Sequence, residues 1–208
     1  MLSNWSPQPL SPDFLRWQIR LRAHTMAERG GAPHVGVAPL LTVRRPGFPL
    51  SVTTHSIICG VLPHPDTLAA KTEDFRALYQ NYVAAGSREL YDRGIKYLKG
   101  YYRDEADFDS GSLTTLTSND SPLFRALSAD PRCQLVFYVF NLDDRSEIGR
   151  SRCLQLDCQA EVHRKGPVYD NVWWHNAIFH GEVEDAAVIR FRHLRTYDTQ
   201  FGHLQEVT

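Results

Sequence analysis

The 208-residue sequence has little of what usually announces a function. Its four cysteines, Cys59, Cys133, Cys153 and Cys158, stand singly in apolar or alternating runs, and none forms the C-x-x-C pair of structural zinc sites and redox motifs. They read as reduced, mostly buried thiols. Neither sign of charge dominates, with Lys+Arg 23 against Asp+Glu 24, so no long-range field draws the chain to nucleic acid or to an anionic membrane. No apolar run reaches transmembrane length, and the opening MLSNWSPQPLSPDF lacks a basic stretch followed by an apolar one; the expectation is a cytoplasmic protein with no membrane partner. No G-x-S-x-G, P-loop, H-E-x-x-H or dinucleotide glycine fingerprint occurs, which argues against serine hydrolase, NTPase, metalloprotease and Rossmann dehydrogenase. Asp170, Glu182, Glu184, Asp185 and Asp198 are spaced as a solvated face or turn would space them, so no acid/base pair identifies itself.

What is present suits one domain over residues 1–208, long enough to build its own core. In residues 1–31, a Pro-rich arm leads to Ser11, placed to cap a helix with Pro12 at its first position. Phe14, Trp17 and Leu21 then mark an amphipathic helix ending at Gly30-Gly31. Residues 35–62 are rich in β-branched and apolar residues around the turn Arg45-Pro46-Gly47. Residues 64–103 form a helical insertion, a hairpin or one kinked helix interrupted at Gly86, followed by the surface loop RDEADFDSGS. From residue 112 to 208 the text is mostly strands: SLTTLT, a short helix from Pro122 to Ala129, the unbroken run CQLVFYVF expected to be buried on both faces, then RCLQLDCQAEV, VYDNVWWHNAIFHGEVE and AAVIRFRHL. The fold class is α+β, dominated by a mostly antiparallel sheet that curls or closes into a barrel.

SLTTLTSNDSPLFRAL, Ser112 to Leu127, is the best candidate for chemistry. Thr117, Ser118 and Ser121 offer hydroxyls beside free backbone N–H groups at a helix start, the equipment for gripping a phosphate. The same residues serve equally well as an N-cap and a β-branched strand. The order of elements around them resembles the FMN-binding split-barrel group related to pyridoxamine phosphate oxidase. In that group a T-x-x-x-S-x-K-like segment precedes a short helix, an N/D-P-R turn and an apolar strand. Thr117 and Ser121 match the hydroxyl positions and Asp130-Pro131-Arg132 the turn, whereas the basic position holds Leu123, leaving Arg125 to substitute. The resemblance spans Ser112 to Val162 and leaves residues 1–111 unaccounted for. It implies a split-barrel-like core and non-covalent FMN with its phosphate on Thr117, Ser118, Ser121 and Arg125. It further implies a homodimer and an oxidoreductase activity carried by the flavin.

The aromatic stretch around Trp173 and Trp174 is the second candidate. Read as a strand, it puts Trp173 and His175 on one face, suited to a ligand or an interface, and Trp174 with Ile178 on the core face. His175 and His180 then point apart, so no metal site is expected. The tyrosines of Arg88–Arg103 read as packing rather than as a nucleic-acid platform. Two functions remain in view: an FMN-binding protein, or a non-enzymatic assembly module using the aromatic strand Val172–Phe179 as its surface.

Overall fold

A computed structural model describes residues 6–29, 38–45, 48–139, 152–198 and 205–207; Gly30-Gly31, Pro46-Gly47 and residues 35–37 of the expected first strand lie outside them. The arm is tied to the sheet, where Gln8 N–H donates to His193 O (2.9 Å) and Leu10 N–H to Ser110 O (2.6 Å). Helix α1 (Pro12–Arg29) follows. Ser11 caps it, its Oγ accepting from Phe14 N–H at 3.2 Å. α1 is more deeply enclosed than an amphipathic pattern implies: Gln18, Arg22 and Thr25 are as buried as Phe14, Trp17 and Met26.

The sheet is built from β1 (Leu40–Arg45), β2 (Phe48–Ser56), β3 (Gly60–Pro63), β4 (Phe108–Ser118), β5 (Arg132–Val139), β6 (Arg152–His163) and β7 (Ala186–Asp198). All ladders are antiparallel, in the order β2-β1-β5-β6-β7-β4-β3, with the short β8 (Gln205–Val207) against the end of β7. Its outermost strands are consecutive in the chain, joined only by Ile57–Cys59. Six strand spacings in a flat sheet would part β2 from β3 by about 29 Å. The four residue steps from Ser56 to Gly60 reach at most about 14 Å. The sheet therefore has to curl until its edges approach, which makes it a barrel with a gap bridged by the link.

The insertion is a helical hairpin of α2 (Pro65–Tyr82) and α3 (Ser87–Tyr101). Gly86, at φ +101°, makes the break in a conformation side chains disfavour. Phe75 of α2 packs on the rings of Tyr97 and Tyr101 at 5.4 Å each, so these tyrosines are core-facing. Between β4 and β5 lies α4 (Pro122–Ala129), and between β6 and β7 lies α5 (Pro167–His180).

Three expectations need correction. VYDNVWWHNAIFH is α5, not a strand. Its aromatic content mimics a strand, but Gly166-Pro167 supplies a helix start with Asp170 in the first turn, and α2 offers the surface to bury it. β5 is fully buried on one face only: Cys133, Leu135 and Phe137 are buried, whereas Gln134 and Val136 are half-buried and Tyr138 is 56% exposed, with β1 and β6 flanking its edges. The loop after α3 is shorter than its charge suggests, since Phe108–Gly111 already belong to β4. There Asp109 accepts from Ser112 (2.7 Å) and Arg190 (2.9 Å). The alternation in β6 is as read, with Leu154, Leu156 and Cys158 buried.

α3 and α5 are in close contact at Gly94, where an added Cβ would lie 2.6 Å from Ile178 Cγ2 and 2.8 Å from Phe179 Cζ. Glycine inside a helix ordinarily costs stability relative to alanine, but here overpacking reverses the sign. Gly94→Ala should destabilise by about 1–3 kcal/mol. At Gly100, where the nearest atom to an added Cβ is Arg103 Nη2 at 3.7 Å, the same change should stabilise by about 0.5–1 kcal/mol. Denaturant melts of the two variants read both signs; a stabilised Gly94→Ala contradicts the α3–α5 packing.

Candidate functional site

A cavity of about 340 Å³ opens where the barrel edges meet, walled by the β2–β3 link, the end of β4, the first turn of α4, one face of α5, and Arg22, Tyr101 and Tyr102. That size lies within the range of small-molecule sites. Its rim holds the exposed Ser56, Ile58 and His180, and its floor holds the buried Arg22, Cys59, Tyr101 and Tyr102.

α5 contributes two rows of side chains because residues four apart stack on a helix. Asn171, His175 and Phe179 form one row and Val172, Asn176 and His180 the next, and all six line the cavity. Asn171 is pinned by its Nδ2 donating to Thr72 Oγ1 at 3.0 Å. The His175 ring lies between Phe75 (5.0 Å) and Phe179 (5.5 Å). The helix thus brings His175 and His180 to one cavity, which the strand reading had set apart. Partial desolvation at the rim lowers the pKa of His180, although the residue as a whole is exposed. Among the described residues no group of three or more His, Cys, Asp or Glu side chains is placed to hold a metal ion.

At the β4 end, Thr117 lines the wall beside Leu123. Its Oγ1 is 2.8 Å from Ser121 Oγ, which also accepts from Phe124 N–H at 3.0 Å and so caps α4. Ser118 donates to Asp120 Oδ1, and Arg125 Nη1 donates to Asp120 O. Of the four residues expected to hold a phosphate, then, Thr117 reaches the wall, while Ser118, Ser121 and Arg125 surround the helix start outside it. Trp173 is also outside, its Nε1 donating to Val183 O at 3.3 Å, with its ring edge-on to Trp174 at 4.7 Å. Trp174 is partly buried against the core, under Arg76 and beside Tyr79.

The floor residue that sequence reading passed over is Arg22. It is 1% exposed; Nη1 donates to Gln18 O (3.0 Å) and Oε1 (2.6 Å), and Nη2 to Cys59 O (2.6 Å). Its pKa is lowered by burial and supported by the Tyr102 hydroxyl. The signal was available: Phe14, Gln18, Arg22 and Met26 recur every four residues, so two polar residues sit in an apolar helical row.

Neither a protein-family model nor a curated protein sequence matches the chain. Solved structures do. One is a heme binding protein from Mycobacterium smegmatis, 13% identical over 91% of this chain and 57% of that chain, with a TM-score of 0.47; the chain thus spans little more than half of that protein's length. Another is a putative pyridoxamine 5'-phosphate oxidase from Listeria innocua, 11% identical over 91% of this chain and 99% of that one, TM-score 0.46. A third is HupZ from Group A Streptococcus, 10% identical over 83% of this chain and 92% of that one, TM-score 0.46. The group suggested by the strand-helix-strand order of residues 112–162 is among these matches, which at such similarity bear on neither ligand nor reaction.

Burial pushes the Cys59 thiol up to about 12 despite the nearby Arg22, so its thiolate fraction at neutral pH is more than about a thousandfold below that of an exposed cysteine. Although it lines the cavity, Cys59 should resist thiol reagents until the protein unfolds. Mass-spectrometric mapping after brief alkylation reads this; rapid labelling of Cys59 in the native protein would make it a reactive group.

Proposed function

We propose that the chain binds flavin mononucleotide in this cavity. The observation that carries the reading is the lining itself, which combines hydroxyls, imidazoles, aromatic rings and a guanidinium with no Asp or Glu among the described residues, a wall suited to a planar ligand bearing negative charge. Thr117 meets the phosphate at the β4 end, Ser118 and Ser121 shape the α4 start behind it, and Arg125 adds positive charge one turn on. His175 and Phe179 flank the ring system, and Trp173 braces α5 through Val183. A bound flavin supplies the redox chemistry that oxidoreductase activity would use; the protein's part is to hold and orient it. The alternative of an aromatic strand surface loses its basis, because Val172–Phe179 lies on α5 and packs against α2 and α3.

The proposal extends to a homodimer in the cytoplasm. Leu40 and Tyr138, 46% and 56% exposed on β1 and β5, supply an apolar outer face. Cys133 and Cys158 face each other across β5 and β6 as free thiols, which fits a reducing compartment. No helix among the described residues is long and apolar enough to cross a membrane.

Titration of purified protein with FMN, followed by flavin fluorescence, tests the reading. Saturable binding is expected, weakened by about 1.5–3 kcal/mol in Thr117→Val, the range for a hydrogen bond to a charged group. Failure to bind FMN removes the reading, and unchanged affinity in Arg125→Ala removes Arg125 from the site. Sedimentation should give twice the chain mass; a monomer at micromolar concentration contradicts the dimer.

A further inference from the structure

The floor of the cavity presents a charge that meets no counter-charge among the described residues. Arg22 is buried, yet every acceptor it meets is neutral: Gln18 O, Gln18 Oε1, Cys59 O and the Tyr102 hydroxyl. No ion pair joins it to a carboxylate among the described residues. Cys59 and Tyr102 cannot supply the missing charge as thiolate and phenolate, because burial raises both pKa values well above neutrality. Neutral carbonyls orient a guanidinium but leave its charge in place, and a buried cation without an anion is costly.

The neighbouring donors deepen the imbalance. Gln18 is fully buried and its Nε2 meets no acceptor among the described residues. Its amide cannot be turned round to find one, since Oε1 is fixed by Arg22 at 2.6 Å. A guanidinium also carries more N–H groups than these acceptors use. Among the described residues, donors exceed acceptors in this corner of the molecule; of the two side chains, Arg22 lines the cavity, while Gln18 lies buried behind it.

We infer that the cavity floor is an oxyanion site, where a carboxylate or phosphate group of the ligand seats against Arg22. The inference rests on reading this cavity as the ligand site and adds to it a second polar group, in addition to the hydroxyl of Thr117. Arg22 acts as a specificity residue: it favours ligands with an anionic group at their inner end and disfavours neutral analogues, which leave the guanidinium unpaired.

Thermal melts of the full chain and of Arg22→Gln, with inorganic phosphate, benzoate, FMN or sodium chloride at matched ionic strength, test this. The wild-type melting temperature should rise with phosphate or benzoate beyond the chloride control, the stronger of the two identifying the preferred oxyanion. Arg22→Gln should weaken that response roughly tenfold or more, and Arg22→Lys, which keeps the charge, should retain part of it. Equal oxyanion responses in wild type and Arg22→Gln, or none in wild type, overturn the inference. A wild-type response to oxyanions without one to FMN upholds it and sinks the flavin reading; FMN binding that ignores Arg22→Gln does the reverse. Should Arg22→Gln fail to fold, amide exchange in wild type decides: the backbone at Cys59–Val61 exchanges more slowly with benzoate or phosphate if the site stands, and at an unchanged rate if it does not.

Discussion

Three residues, Ile57–Cys59, join the two outermost strands of a seven-strand path, and that short tether shapes everything near it. It forces the sheet to curl, brings β2 beside β3, and leaves a gap that backbone pairing does not close. The gap becomes a cavity because α5 lies along it with two rows of side chains facing in, while Tyr101 and Tyr102 at the end of α3 close the floor. The helical hairpin holds α5 in place through Phe75, Asn171 and the close approach at Gly94.

The tether also sets the electrostatics. Cys59 O, at the last residue of the link, accepts from Arg22 Nη2, so the most buried part of the barrel's closure is bound to the one guanidinium that lines the cavity among the described residues. Burying that charge opposes folding, whereas satisfying it with a ligand would stabilise the closed state. The free cysteines and tyrosines around it remain neutral, so the polarity of the site comes from Arg22 and from the hydroxyls and imidazoles nearer the rim.

Much of the fold was legible because local signals and burial agreed. Ser11-Pro12 and Ser121-Pro122 start helices where capping chemistry puts them, the insertion breaks at Gly86, and β6 alternates as a half-buried strand should. Sequence reading failed where tertiary contacts overrode local preference. The aromatic, β-branched text of α5 looked like a strand, although Gly166-Pro167 starts a helix there and packing against α2 and α3 gives it a surface to bury; with the strand went the opposite facing of His175 and His180. The unbroken apolar run of β5 overstated its burial, since Tyr138 faces outward. Thr117, singled out by its place at a strand-helix junction, lines the cavity. Arg22 was not sought, although a charged residue in the row Phe14, Gln18, Met26 signals a buried polar group that needs a partner.

The seating of a ligand in the barrel gap is tested most directly by hydrogen–deuterium exchange on the wild-type protein with and without FMN. Slower exchange is expected in the link around Ile57–Val61, at the end of β4 from Thr114 to Thr117, and along α5 from Asn171 to His180, with β1 and β5, away from the cavity lining, unchanged. Protection elsewhere with none in these three segments would contradict the site.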